Sequence, residues 1–167
     1  KGCEDGGHEV RRIEVARLEF PWLRTKDEFE KGTPPDSIKQ AQDAIRWADH
    51  LVIFYPLWLG SMPALLKAFL EQVFRPGVAF EYRAQGKMAK KLFTGKSARI
   101  VVTMGMPALV YRWFFLAHSL KSLERNILAF CGIKPTRATL IGQVEGMNER
   151  QRASWLDEMR GLGDVGK

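Results

Sequence analysis

Short apolar runs alternate along this chain with stretches in which apolar residues recur every three or four positions. Leu51–Tyr55 is an unbroken apolar run that stops at Pro56, and Ala98–Thr103 and Pro135–Ile141 are further β-branched stretches, each with one arginine. Runs of this length between turn residues predict buried strands. His8–Val15 is a shorter strand candidate. Between them, Ile38, Ala41, Ile45 and Ala48 keep helical spacing, with Asp36 as the predicted N-cap of a helix reaching Asp49. Pro63 opens a second predicted helix that Pro76-Gly77 closes after Phe74. A third spans Tyr111–Cys131 with Gly132 at C′, and Asn148 caps a fourth through Met159. This β-α-β-α-β-α-β-α order predicts an α/β domain, a parallel sheet with helices on both faces. Arg17–Pro35 is a long connection, which suits a flap or a dimer arm, with Trp22 expected to plug it into the core.

With 167 residues, 46% apolar and 27% charged, the chain has the composition of one folded domain. Its longest uncharged run, residues 51–66, is too short and too interrupted to cross a bilayer, and the N-terminus lacks an apolar signal core. Cys3 and Cys131 lie too far apart to suggest a disulfide framework, and His8, His50 and His118 are scattered. These features predict a cytoplasmic protein without a metal site. The net charge is +7, and residues 83–99 hold Arg83, Lys87, Lys90, Lys91, Lys96 and Arg99 without one acid. Such a stretch suits nucleic acid, an anionic membrane, a dinucleotide phosphate or a solvated loop. No nucleic-acid motif accompanies it, so no nucleic-acid partner is expected.

Two strand ends hold the candidate chemistry. Pro56-Leu57-Trp58-Leu59-Gly60 and Thr103-Met104-Gly105-Met106 follow parallel strands and emerge on one edge of the expected sheet. Open α/β sheets bind ligands at the carboxyl ends of their strands. A turn with backbone N–H groups and an aromatic at that rim suits a flat heterocycle, although glycine at a strand end also serves merely to turn the chain.

The segment Pro56-Leu-Trp-Leu-Gly-Ser-Met-Pro-Ala-Leu-Leu-Lys67 closely resembles the flavin loop and helix of NAD(P)H:quinone oxidoreductases. Similarity to this flavodoxin-like family, which includes modulator-of-drug-activity and potassium-efflux ancillary proteins, continues through Gly77–Tyr82, Val102–Met106, Tyr111 and Phe130-Cys-Gly132. The resemblance implies a doubly wound flavodoxin-like sheet and a bound FAD or FMN. Pro56, Leu57, Trp58, Leu59, Gly60, Thr103, Met104, Gly105 and Met106 would line the flavin ring. Tyr111 would lie near the ring, His118 would balance charge behind it, and Phe80 and Tyr82 would cover the pocket of a neighbouring subunit in a homodimer.

The resemblance further implies hydride transfer from NADH or NADPH, through the flavin, to a quinone by a ping-pong mechanism. Alternative readings are an ancillary subunit docking on a membrane transporter through residues 83–99, and a remnant without cofactor. Family members begin with a strand and a phosphate-binding loop, whereas this sequence begins near the end of the first helix. The expectation is therefore a single domain over residues 1–167, truncated at its N-terminus, with the first strand missing.

Overall fold

The computed structural model describes residues 1–83 and 89–166. In chain order its regular elements begin with α1 (Gly2–Asp5), α2 (Lys26–Lys31), α3 (Asp36–Trp47), β1 (His50–Pro56) and α4 (Ala64–Val73). A short pair of strands follows, β2 (Phe80–Glu81) and β3 (Lys90–Lys91), and then β4 (Ser97–Thr103). The chain continues through α5 (His118–Ser122), α6 (Ala129–Cys131), β5 (Thr136–Ile141) and α7 (Glu149–Asp164). β1, β4 and β5 form a parallel sheet in that order, Leu51 opposite Ala98 and Ala98 opposite Thr136. The antiparallel β2–β3 pair stands apart from it.

Side-chain alternation divides the sheet into two different faces. Tyr55, Ala98, Ile100 and Val102 join Ile38, Ala41 and Ile45 of α3 and Leu66, Phe69, Leu70 and Val73 of α4 in the main core. The apolar spacing that predicts α3 and α4 therefore marks their buried stripes. On the opposite face Val101 is buried, but Val52 and Phe54 of β1 are 40% and 64% exposed. The outer edge of β1 has no strand partner among the described residues.

Several expectations are corrected by the structure. His8–Val15 does not pair as a strand; it runs irregularly into a 3-10 turn at Val15–Arg17, while Ile13 and Val15 pack against the core. The 17–35 connection contains α2, capped by the Thr25 side chain accepting from the Glu28 amide. Phe20, its ring tilted against Phe69 at 6.2 Å, anchors this connection, while Trp22 is 56% exposed. Gln72 donates to the Pro21 carbonyl at 2.6 Å, and buried Arg75 donates from Nη1 to the carbonyls of Glu28 and Gly32. Pro35, not Asp36, is the N-cap of α3, and the Asp36 carboxylate pairs with Lys39.

The expected helix over Tyr111–Cys131 is interrupted. Val110–Phe114 forms a π-helical turn, Leu116 and Ala117 take left-handed φ angles of 52° and 49°, and helical backbone resumes at His118. Gly132 closes it in the left-handed region as expected. Asn148 caps α7 with a capping box, and that helix runs past Met159 to Asp164.

Candidate functional site

β1 and β4 run parallel and in register, so the loops that follow them leave the sheet side by side. The Leu57 amide donates to the Thr103 carbonyl at 2.8 Å, tying one loop to the other where the strands end. Beyond Leu57 the chain folds into a tight turn in which Trp58 and Ser61 exchange backbone hydrogen bonds of 2.8 and 2.9 Å. Both central residues have positive φ, 47° at Leu59 and 76° at Gly60, the backbone of a type I′ hairpin. Gly60 adopts this without steric cost; Leu59 carries about 1–2 kcal/mol of strain. The turn holds the Trp58 ring 63% exposed and leaves Leu59 fully in solvent.

A third loop completes the rim. Met104 donates from its amide to Ile141, and the amides of Gln143 and Val144 donate to Met106 and Met104. The loop after β5 is thereby sewn onto the loop after β4. Its close approach depends on Gly142, where a Cβ would sit 2.4 Å from the Ala108 nitrogen and 2.8 Å from the Met106 oxygen. It also brings Glu145 over Gly105, its carboxylate oxygen 3.7 Å from where a Cβ on that glycine would stand. Sequence pattern does not single out Glu145, because only the pairing of β4 with β5 places it here.

The polar capacity of this rim is largely unspent. Among the described residues, the amides of Leu59, Gly60, Gly105 and Met106 donate to no protein acceptor. Four free donors on adjoining loops, beside an exposed indole, fit the edge carbonyls and ring nitrogens of a planar heterocycle. Pro56 and Gly105 are exposed, Leu57, Thr103 and Met106 are half-buried, and Met104 is 3% exposed, so its side chain belongs to the floor.

The remaining candidates are placed differently. Tyr111 is buried, and its hydroxyl lies 2.7 Å from Ser119 Oγ and accepts from the Leu120 amide at 3.2 Å. These bonds pin the interrupted helix. His118 is exposed on the first turn of α5, its amide directed at the Phe115 carbonyl. Phe80 is buried in its own subunit, edge-on to Phe130 at 4.9 Å, and so does not reach outward. Tyr82 remains 62% exposed.

The basic stretch is mostly committed internally. Lys90 pairs with Glu81, Lys91 donates to the Ala129 carbonyl, Lys96 donates to the carbonyls of Arg46 and Ala48, and buried Arg99 donates to Thr139. Lys87 lies outside the described residues. Burial and the guanidinium groups of Arg99 and Arg137 hold His50 below its ordinary pKa, and burial pushes the Cys131 thiol up to about 12. Neither group lies on the rim loops.

A family model described as flavodoxin-like fold matches residues 1–161. The chain is 28% identical over 158 residues to a Haemophilus influenzae protein named as an uncharacterized NAD(P)H oxidoreductase, covering 92% of this chain and 77% of that one. It is 35% identical over 114 residues to FMN-dependent NADH:quinone oxidoreductase 1 of Hahella chejuensis, covering 61% of this chain and 52% of the relative. The chain thus spans about half the length of that relative. Among solved structures it superposes on a Klebsiella pneumoniae protein titled "putative quinone reductase" with a TM-score of 0.84 at 20% identity. That match covers 98% of this chain and 74% of the other.

Proposed function

The chain belongs to the flavodoxin-like fold family, and from that premise we propose that it is a flavin-dependent oxidoreductase carrying hydride from NADH or NADPH to a quinone. The carrying observation is the joined rim, in which the 2.8 Å bond from Leu57 to Thr103 sets the Trp58 turn beside four free amides. The naming of the Haemophilus and Hahella relatives supports the reaction class, and that of the latter supports FMN.

A bound flavin supplies the hydride-accepting and hydride-donating chemistry. Trp58 and Leu57 offer the apolar wall, and the amides of Leu59, Gly60, Gly105 and Met106 orient the ring and favour negative charge on it. Nicotinamide and quinone use the same open side of the rim in turn, which gives ping-pong kinetics. Tyr111 is a positioning residue that fixes the turn preceding α5, and His118, exposed beyond that turn, balances charge. Initial rates of NADH-dependent quinone reduction at several fixed quinone concentrations test this reading. Parallel double-reciprocal lines support it; intersecting lines, or no turnover with added FMN, oppose it.

The flavin phosphate needs a separate anchor, and we place it on a strand that pairs with the open edge of β1 and covers Val52 and Phe54. The support is the exposure of those two side chains and of the strand edge itself. We assign the subunit contact to the face shared by α4 and α6. There a cavity of about 180 Å³ is lined by Phe29, Leu70, Phe74, Phe80 and Phe130, with the Lys67–Glu71 ion pair beside it. Tyr82 then extends toward the partner of a twofold homodimer. A cytoplasmic setting accords with two free thiols and with no helix among the described residues long and apolar enough to cross a membrane.

A further inference from the structure

The three loops at the carboxyl ends of β1, β4 and β5 carry one charged side chain between them. Residues 56–61, 103–107 and 142–147 contain no Asp, Lys, Arg or His, and their single acid is Glu145. That one charge opposes the sign of the whole chain, which is +7. Arg112 and Glu149, the next charged residues after the second and third segments, stand on the helical turns beyond them.

Backbone holds Glu145 over the rim. The amides of Gln143 and Val144 donate to the Met106 and Met104 carbonyls, Gln143 takes a left-handed φ of 55°, and the Gly146 amide closes the turn onto the Gln143 carbonyl at 3.1 Å. Above Gly105 the surface is otherwise open. Chain neighbours aside, Glu145 Oε1 and Cδ, at 3.7 and 3.9 Å from where a Cβ on Gly105 would stand, are the only atoms within 4 Å of that point. Glu145 is exposed, and among the described residues its carboxylate joins no ion pair.

Two opposed preferences therefore meet at Gly105. The amides of Gly105 and Met106, which donate to no described protein acceptor, draw a carbonyl oxygen toward the rim. The carboxylate beside them accepts from hydroxyl or amide donors and repels negative charge. An uncharged ring with carbonyl groups satisfies both, whereas a ring bearing an anionic substituent satisfies only the first. Discrimination of this kind comes from a repulsive element set against the wrong ligand.

We infer that Glu145 selects the electron acceptor by charge: the rim takes uncharged quinones and turns away quinones that carry a sulfonate or carboxylate on the ring. The inference rests on the proposed flavin-dependent quinone reduction and names the acceptor class of that same site.

The full chain loaded with FMN tests this with a matched pair of acceptors, ortho-naphthoquinone and its ring sulfonate. Their kcat/KM ratio, uncharged over sulfonated, should fall at least about fivefold in Glu145→Gln, the scale of repulsion between two unit charges near a protein surface. That difference from wild type should shrink in high salt. Glu158→Gln, which removes the same charge from an exposed position on α7, should keep the wild-type ratio. A readout without turnover uses naphthalene sulfonate, which accepts no hydride, titrated against the absorption band of the bound FMN. Glu145→Gln should bind it at least about fivefold more tightly than wild type. An unchanged ratio or unchanged sulfonate binding in Glu145→Gln, or an equal change in Glu158→Gln, would overturn the inference and leave quinone reduction standing. A wild-type chain that takes up no FMN, or that loaded with it reduces no ortho-naphthoquinone, would overturn the inference together with the proposed function.

Discussion

The amide of Leu57, one residue beyond the last in-register pair Pro56–Thr103 of β1 and β4, donates to the Thr103 carbonyl at 2.8 Å. That bond makes two loops, forty-six positions apart in sequence, behave as one rim. It also fixes where the exposed Trp58 ring stands relative to Gly105 and Met106.

Trp58 is mostly exposed, so its ring contributes little to the core. Trp58→Ala should move the melting temperature only slightly and weaken flavin binding by about 0.5–1.5 kcal/mol, the range of an aromatic stacking contact. Calorimetric melting and flavin-fluorescence titration, run on the same preparation, separate the two effects. A large loss of stability with unchanged flavin affinity would place the ring in the core instead.

Gly142→Ala should disturb the rim from below. Its new methyl would stand 2.4 Å from the Ala108 nitrogen, a distance real contacts do not reach, so the loop after β4 must shift. The expected cost is about 1–3 kcal/mol of stability, measured by urea unfolding, together with weakened flavin binding. An unperturbed variant would show that the β4 and β5 loops are free to separate.

Arg75→Met should loosen the 17–35 connection. Its guanidinium serves the carbonyls of Glu28 and Gly32 and the side chain of Gln72, and methionine leaves all three acceptors without it. Loss of about 2–4 kcal/mol in urea unfolding is expected. Limited proteolysis should then cut first between Arg17 and Pro35, and equal resistance of variant and wild type would contradict this.

His50 gives the pH dependence a definite sign. Its Nδ1 lies 2.7 Å from Ser97 Oγ, and burial with Arg99 and Arg137 holds its pKa below the ordinary 6.5. The unfolded chain therefore binds the His50 proton more readily than the folded chain does. Stability from this group is complete above about 6.5 and declines as pH falls below that value. His50→Gln should flatten the acid limb of a plot of unfolding free energy against pH; an unchanged limb would show that other groups govern it.

The alternation of apolar runs and helical spacings identifies β1, β4 and β5 and the buried stripes of α3 and α4, because burial itself imposes those periods. The same reasoning fails where pattern and burial part. Trp113, Phe114 and Phe115 continue the apolar spacing of the following helix yet point to solvent, so sequence reads one helix where the backbone turns left-handed at Leu116. Ile13 and Val15 alternate with polar neighbours like a strand, but a strand exists only when another edge pairs with it. Phe80 and Tyr82 are chemically alike in the sequence, and only the packing of Phe130 decides which is buried. The rim residues 56–60 and 103–106 are legible because register forces neighbouring strand ends together. Glu145 is not, since its place depends on the turn after β5.

In the proposed function the rim alone recognises the planar ring. Riboflavin, which carries the ring without a phosphate, tests this most directly in a fluorescence-quenching titration against residues 1–167 and its Trp58→Ala variant. The expected result is saturable quenching at one riboflavin per chain, FMN binding no more than slightly better, and clear weakening in the variant. No saturable quenching, or quenching identical in wild type and variant, would contradict it.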